Sequence, residues 1–236
     1  MFYIDEIFDE CDANFLPKLF WSAVSSSQLF SFQKIVDCFV TARHKIVLRR
    51  TDDSGQQTNL RFEIMIETER LIIRPFVEED FETLCALRAD KEVMKYIGLE
   101  YSTPEKVADR LRFYIQSQKQ HGFSMCAVIL KETNEMIGWA GLQYLDGADD
   151  VEVGYGFDKP FWGKGFATEA ARAWLQYGFE KIGLKRIVAV AMPENRDSRH
   201  VMEKLRMKHE KNSFHYGHLL VYYAIEKSEF NVNERE

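Results

Sequence analysis

The stretch KPFWGKGFATEAARAWLQYGFEKIG, residues 159–183, sets two glycines on either side of a lysine and then runs into an amphipathic, helix-like segment. Gly163 and Gly165 permit positive φ angles and let the backbone approach a ligand closely. The first N–H groups of a helix have no partner within the helix, and the helix dipole favours an anion beside them. The stretch therefore has three interpretations: a phosphate cradle, a dinucleotide site or a flexible turn.

Two nucleotide-binding patterns fail here. A nucleotide-triphosphate loop needs Gly, four residues and then Gly-Lys-Ser/Thr, whereas Lys164 is followed by Gly165. The dinucleotide pattern Gly-x-Gly-x-x-Gly, counted from Gly163, needs a glycine where the chain has Thr168. The glycine spacing alone leaves both a phosphate cradle and a plain turn open.

The bulk composition is that of an ordinary globular chain. The 236 residues are 46% hydrophobic and 29% charged, which suits one large domain or one domain with an extension. The net charge of −6 disfavours nucleic acid as a partner, because its binding depends on Lys and Arg side chains that neutralise phosphates. The acidic balance mildly favours a cationic acceptor such as an amine.

Neither the N-terminus nor the cysteines indicate secretion, and we expect no metal and no membrane partner. The acidic N-terminal segment is unlike a signal peptide. Charged residues interrupt the apolar region 15–40, which is therefore too polar to span a membrane. The widely spaced cysteines show no metal or disulfide-scaffold pattern and indicate reduced thiols in a cytoplasmic protein. They are Cys11, Cys38, Cys85 and Cys126.

Three segments are predicted along the chain. Residues 1–64 form an N-terminal extension of unknown role, residues 65–229 the main domain and residues 230–236 a C-terminal tail. In the extension, apolar residues at helical spacing predict a helix, and the polar stretch TDDSGQQTN, residues 51–59, is typical of a linker. The helical positions are Phe32, Ile35, Val36, Phe39 and Val40.

From residue 66 the pattern predicts the order β-α-α-β-β-β-α-β-α-β-β, a mixed α/β domain around one central sheet. Thr103 and Pro104 are typical of a helix start, and Gly122 and Gly183 of helix ends. The predicted strands are 70–76, 123–131, 136–145, 151–157, 186–192 and a hairpin within 207–227 that turns at Tyr216-Gly217. The predicted helices are 78–90, 104–121, 167–182 and 197–206.

Three motifs in order resemble the GNAT acetyltransferase superfamily, in particular its branch of ribosomal-protein-alanine N-acetyltransferases. FWGKGFATEA, residues 161–170, resembles the pyrophosphate loop, with Trp162 in place of the usual Arg or Gln. TERLIIRPFVEEDFETL, residues 68–84, resembles the opening strand and helix. PENRDSRHVMEKLRM, residues 193–207, resembles the downstream motif, in which an Asn and a Ser precede a short helix. The resemblance covers roughly Ile66–Lys227.

This resemblance implies a central mixed, mostly antiparallel sheet flanked by helices, and acetyl-CoA as co-substrate. It implies that the strand before the loop pairs through its backbone with pantetheine, and that loop N–H groups hold the pyrophosphate. It also implies that Asn195 contacts the pantetheine arm and that Ser198 lies near the thiol. The implied backbone contacts are Tyr155, Gly156 and Phe157 for pantetheine and Gly163, Lys164, Gly165, Phe166, Ala167 and Thr168 for pyrophosphate.

Acetyl transfer to an amine needs a group that takes up a proton and a partner for the departing thiolate. Glu152 is the candidate base, through a water, and the alternative is a solvated strand carboxylate. Ser198 is the candidate acid, and the alternative is a helix-start hydroxyl. Met202 replaces a Tyr common in the superfamily, which puts the standard acid in doubt. Arg206 replaces a usual Gly, so we expect a distorted helix end.

The favoured function is acetyl transfer from acetyl-CoA to a primary amine, a protein N-terminus or a small molecule, by direct attack on the thioester. The alternative is a non-catalytic acyl-CoA-binding regulatory module on the same fold. Segments 95–104 and 213–218 are expected to build the acceptor cleft, with Trp139 and Tyr144 as possible lining residues. The protein is expected to be a monomer or a homodimer.

Overall fold

The computed structural model describes residues 36–41, 45–51, 57–63, 65–98, 103–146 and 148–230. The strands are β1 Val36–Thr41, β2 Lys45–Thr51, β3 Gln57–Glu63, β4 Ile66–Glu67, β5 Leu71–Pro75, β6 Met125–Leu130, β7 Glu135–Tyr144, β8 Val151–Phe157, β9 Arg186–Ala191, β10 Lys208–His215 and β11 His218–Glu226. The helices are α1 Phe81–Ala89, α2 Lys91–Met94, α3 Pro104–His121, α4 Phe166–Tyr177 and α5 Arg196–Lys204.

Eight strands form one mixed sheet in the order β10-β11-β9-β8-β7-β6-β5-β4. Strands β8 and β9 run parallel, and every other neighbouring pair is antiparallel. The predicted mixed, mostly antiparallel sheet is therefore confirmed. Among the described residues, the pairing of β8 with β9 is confined to Glu152 and Val188. Beyond that pair the two strands line opposite sides of a cleft in the middle of the sheet.

Helices cover both faces of this sheet. On one face, Trp174 of α4 and Met202 of α5 are buried in a cluster with sheet residues such as Ile137. On the other face, Leu84 of α1 and Leu111 of α3 belong to a second cluster that includes residues of β6 and β7. Burial of each such side chain contributes about 1.5–3 kcal/mol. The central cleft therefore lies between two packed layers.

The predicted helix in the extension is wrong where the structure describes it. Strands β1, β2 and β3 form a separate three-stranded antiparallel sheet, in which Val36 pairs with Arg50 and Thr41 with Lys45. The apolar spacing is compatible with a helix, but the β-branched residues of this segment favour strands once partner strands are present. The predicted linker at 51–59 contributes residues to β2 and β3. Residues 1–35 lie outside the described residues.

Helix boundaries in the main domain follow local signals. The Thr103 hydroxyl accepts a hydrogen bond at the start of α3, and Gly122 ends that helix with φ of +75°. The helix predicted to reach residue 182 is α-helical only through α4 and becomes π-helical over Gly178–Ile182. A Cβ on Gly178 would lie 2.7 Å from Ile187, so this turn lies directly against the sheet.

The end of α5 carries the backbone irregularity that its sequence predicts. Arg206 adopts φ of +61°, the left-handed conformation that a glycine takes most easily. Its N–H donates to the Glu203 carbonyl at 2.9 Å, and the Met207 N–H donates to the Met202 carbonyl at 3.0 Å. These bonds are those of a glycine-type helix ending. Arg206 therefore makes the turn of a glycine under backbone strain.

Candidate active site

The cleft between β8 and β9 has a volume of about 200 Å³. Strand β8 contributes Glu152, Gly154 and Tyr155 to its walls, and Asn195 and Ser198 come from the start of α5. Four of the sequence-predicted site residues are thus brought together, namely Glu152, Tyr155, Asn195 and Ser198. Further lining residues come from α1, α3, β7, β9 and the hairpin β10–β11, and include Arg88, Arg110, Trp139, Gln143, Val190 and Tyr216.

The glycine loop has the backbone form of an anion cradle. Gly163 and Gly165 have φ of +71° and +82°, a conformation that side-chain-bearing residues rarely adopt. No side chain caps the first turn of α4, which begins at Phe166. Its leading N–H groups, including those of Ala167 and Thr168, therefore have no partner within the helix. Together with the helix dipole, this arrangement suits a phosphate group.

A clamp that the sequence interpretation missed holds this loop. Arg70, just before β5, donates from Nη1 to the Lys164 carbonyl at 2.9 Å and from Nε to Glu169 at 2.6 Å. Its guanidinium carbon lies 4.3 Å from the centre of the Phe166 ring. The Lys164 ammonium lies 5.5 Å from the centre of the Phe161 ring. The loop backbone is thus fixed by the opening strand, 94 residues away in sequence.

Glu152 is a buried carboxyl rather than a solvated strand carboxylate. It is 5% exposed, and Gln143 donates to its Oε1 at 2.6 Å. The Tyr216 hydroxyl donates to the same oxygen at 2.5 Å. Burial raises the pKa of Glu152 to about 7, although both hydrogen bonds act to lower it. A carboxyl with this pKa exchanges a proton readily near neutral pH.

Tyr216 is a site residue that sequence reasoning placed only within the 213–218 turn. It lies between β10 and β11 with φ of +52°. Its N–H donates to Asp146 at 2.5 Å, and its hydroxyl accepts from Gln143 at 3.2 Å. Because Asp146 anchors the turn, the Tyr216 hydroxyl is held against Glu152. No local sequence signal reveals a contact between residues 64 positions apart.

Tyr155 and Ser198 form a hydroxyl pair across the cleft. The Tyr155 Oη lies 3.1 Å from the Ser198 Oγ and donates to the Ser198 carbonyl at 3.1 Å. Burial raises the pKa of Tyr155 to about 12, which keeps the hydroxyl protonated. The Asn195 Oδ1 accepts from the Ser198 N–H at 3.1 Å and so caps α5. Met202 lies on the same helix and is 2% exposed.

Glycines in β8 leave room for large side chains at the floor of the cleft. A Cβ on Gly156 would lie 2.4 Å from the Trp139 ring, and one on Gly154 would lie 2.6 Å from Met125 Cε. Trp139 lines the cleft, as one sequence alternative proposed. Tyr144 instead packs beside the ring of Phe123, at 5.5 Å, and is 48% exposed. Of these two candidates, the structure brings only Trp139 into the cleft lining.

The fold and its central cleft define an acetyltransferase, and comparison with known proteins identifies the family. Residues 70–208 match the Acetyltransferase (GNAT) domain family, and the chain belongs to that family. The uncharacterized N-acetyltransferase YnaD of Bacillus subtilis is 34% identical over 172 residues, covering 70% of this chain and 99% of YnaD. The protein is therefore an acetyl-CoA-dependent N-acetyltransferase.

Solved structures agree with this assignment. A GNAT-family acetyltransferase from Bacillus anthracis is 34% identical, with a TM-score of 0.61 over 71% of this chain and 99% of the other. RimL, a ribosomal L7/L12 alpha-N-protein acetyltransferase whose structure contains coenzyme A, has a TM-score of 0.60 over 70% of this chain and 98% of its own. At 19% identity, RimL shows the fold alone.

Two searches of the described residues complete the site. None of their helices is both long and apolar enough to cross a bilayer. No group of three or more His, Cys, Asp or Glu side chains within the described ranges is placed to hold a metal ion. The thiols of Cys85 and Cys126 are free.

Proposed function

We propose that the protein transfers the acetyl group of acetyl-CoA to a primary amine, a small molecule or a protein N-terminus, by direct attack of the amine on the thioester. The observation that carries this proposal is the buried Glu152 carboxyl, with its pKa raised to about 7, at the point where β8 and β9 separate. An amine reaches its nucleophilic form by losing a proton, and a carboxylate with this pKa is suited to accept it near neutral pH.

The residues of the loop fit coenzyme A. Gly163 and Gly165 hold the backbone in the left-handed region, and the uncapped start of α4 presents N–H groups to an anion. These groups, from Gly163 to Thr168, would hold the pyrophosphate, and the β8 backbone over Tyr155–Phe157 would pair with the pantetheine arm. Asn195 would lie beside that arm. Acetyl-CoA supplies the acetyl group as an activated thioester.

Glu152 would act as the base, directly or through one water. Gln143 and Tyr216 orient it, since both donate to Oε1 and leave Oε2 for the proton. Arg110 also acts to lower the pKa of Glu152 and so favours the carboxylate form. At pH values above about 7 the ionised form predominates and can accept the proton of the amine.

The hydroxyl pair Tyr155–Ser198 would assist the departing sulfur. Met202 has no proton to donate, whereas the Tyr155 hydroxyl carries one and lies within hydrogen-bond distance of Ser198 Oγ. With its pKa raised to about 12, Tyr155 keeps its proton, so the pair would stabilise the departing thiolate by hydrogen bonding through the Ser198 hydroxyl, and solvent would protonate the sulfur. Ser198 and Tyr155 would thus supply the hydrogen-bonding partner of the sulfur in the absence of a tyrosine at position 202.

We further propose that residues 65–229 suffice for this activity and that 1–64 is an accessory extension. Strand β4 begins at Ile66, and the Met65 N–H already donates to the Ile73 carbonyl at 3.0 Å within the main sheet. The test is a chain that begins at Met65. It should fold and transfer acetyl groups at the rate of the full chain, and loss of folding would contradict the proposed boundary.

The test of the function is acetyl-CoA turnover against a panel of amines and N-terminal peptides, with products identified by mass spectrometry. The wild type should acetylate at least one class, and E152Q should lose activity. E135Q is the matched control, because Glu135 is an exposed carboxylate on β7, outside the cleft. Tight coenzyme A binding without transfer to any amine would refute the proposal.

A further inference from the structure

Arg88 is a buried cation that has no acidic partner among the described residues. It lies near the end of α1, is 2% exposed and lines the cleft. Its Nη2 donates to the Tyr114 hydroxyl at 3.0 Å, and its Nε finds no hydrogen-bond partner in the part of the chain that the structure describes. Among the described residues, no carboxylate lies within ion-pair distance of it, whereas the buried Arg74 pairs with Asp80 at 2.7 Å.

A buried guanidinium with an unpaired N–H destabilises the folded state unless an acceptor or a counter-charge pairs with it. Buried charges in proteins are normally paired, and an unpaired donor retains its desolvation penalty. The Trp139 and Tyr114 rings lie 5.0 and 6.0 Å from the Arg88 guanidinium carbon and provide part of the stabilisation. Apart from these rings, no acceptor among the described residues lies within hydrogen-bond distance of the Nε–H. The orphan donor therefore indicates a partner that arrives in the cleft.

The described cleft lining differs in its charge balance from the chain as a whole. The chain carries a net charge of −6. Within the cleft lining as described, Arg88 and Arg110 face a single acid, Glu152. Arg110 lies 5.9 Å from the same Tyr114 ring that Arg88 contacts, so the two cations converge on one wall. On this wall the Arg88 guanidinium can pair with an anion, and an acceptor that carries only an amine would leave it unpaired.

The geometry points to an acceptor that carries a carboxylate as well as its amine, with Arg88 as the carboxylate-binding residue. The Trp139 position beside Arg88 and the Gln143 position beside Glu152 lie on the same face of β7, four residues or about 13 Å apart. Glu152 and Arg88 line the same cleft of about 200 Å³, so the amine and the carboxylate of one small molecule can be placed beside them together. A guanidinium suits this role because its planar N–H donors match a carboxylate.

This inference rests on the proposed amine acetylation and identifies the class of its acceptor. Straight-chain amino acids with one to four methylenes should be compared with their amides, at equal concentrations of neutral amine. The wild type should favour at least one carboxylate over its amide by roughly 100-fold in kcat/KM, as expected for a charge-assisted hydrogen bond to a buried arginine. Equal values for acids and amides would overturn the inference and leave acetyl transfer intact.

Substitutions of Arg88 distinguish a role in recognising the acceptor carboxylate from a purely structural role. R88M should reduce the acid-to-amide ratio to near 1, chiefly through the KM for the acid, and binding of coenzyme A serves as the check that the variant is folded. R88K, which keeps the charge but loses the planar fork, should give an intermediate ratio. R112M is the matched control, since Arg112 is an exposed arginine of α3 outside the cleft, and it should keep the wild-type ratio. An unchanged ratio in R88M would contradict the assignment.

A binding measurement provides a readout independent of turnover. Calorimetric titration of the best amino acid into the wild type saturated with coenzyme A should give heat that is lost in R88M and retained in R112M. If the wild type transfers acetyl to neutral amines but shows no such heat, this inference fails alone. If no amine of any class is acetylated, the proposed function fails with it.

Discussion

Replacement of Glu152 by Gln should make the protein less active and, above neutral pH, more stable. The E152Q side chain is nearly isosteric and can still accept the hydrogen bonds from Gln143 and Tyr216. It cannot ionise, however, so it cannot accept a proton from the amine. We expect kcat to fall by about 10²- to 10⁴-fold, the usual contribution of a general base.

The stability effect follows from the pKa of Glu152. Burial raises that pKa from its ordinary 4.5 to about 7. Between these values the folded state binds more protons at this carboxyl than the unfolded chain, so its contribution to stability falls as pH rises. Above pH 7 the folded protein carries the full cost of a buried carboxylate, about 3 kcal/mol at about 1.4 kcal/mol per pKa unit. The glutamine carries no such cost at any pH.

Urea unfolding of both proteins at pH 4.5 and pH 8 tests this prediction. The two free energies of unfolding should be similar at pH 4.5, and E152Q should be more stable by up to about 3 kcal/mol at pH 8. The pH dependence of all other groups cancels in the difference. The wild-type kcat should also rise with pH through an apparent pKa near 7. A difference that is constant between the two pH values would show that Glu152 titrates normally and would remove it as the candidate base.

Three further outcomes are expected. G163V should weaken coenzyme A binding at least 10-fold, because valine is strained at positive φ. The control is G183V, at φ of +83° and with equal free space, which should lose similar thermal stability but keep its affinity for coenzyme A. Equal losses of affinity in the two variants would contradict a local effect of the loop. Y216F removes a hydrogen bond that lowers the pKa of Glu152, so the rising limb of the pH–kcat profile should move to higher pH, and a move to lower pH would contradict this. R206G should raise the free energy of unfolding by about 0.5–1 kcal/mol in urea titrations, because glycine relieves the strain of the left-handed backbone at this position. A loss of stability would show that the contacts of the arginine side chain stabilise the fold by more than the strain costs.

Local signals in the sequence predict the order of elements in the main domain and the position of the glycine loop before α4. These signals depend only on residues that are close in sequence. They include the hydroxyl cap at Thr103, the left-handed glycines Gly122 and Gly183, and apolar runs at strand spacing. The same kind of signal was ambiguous at Val36–Thr41, where apolar residues suit a helix and a strand alike. The partner strands favour the strand conformation at this segment, and the sequence of the segment alone does not reveal them.

A glycine loop that opens a helix after a strand, with Glu152 and Ser198 on the neighbouring elements, can be read from the sequence alone. The surroundings of those residues follow from the tertiary fold. The fold buries Glu152, which raises its pKa to about 7, and brings Tyr216 into contact with it although the two residues are 64 positions apart in sequence. Arg70 likewise holds the glycine loop through Lys164, which is 94 positions away. The fold also buries Arg88 at a place where no described residue supplies a carboxylate. Burial and long-range contacts set proton affinity and charge pairing, and neither is a property of residues that are adjacent in the chain.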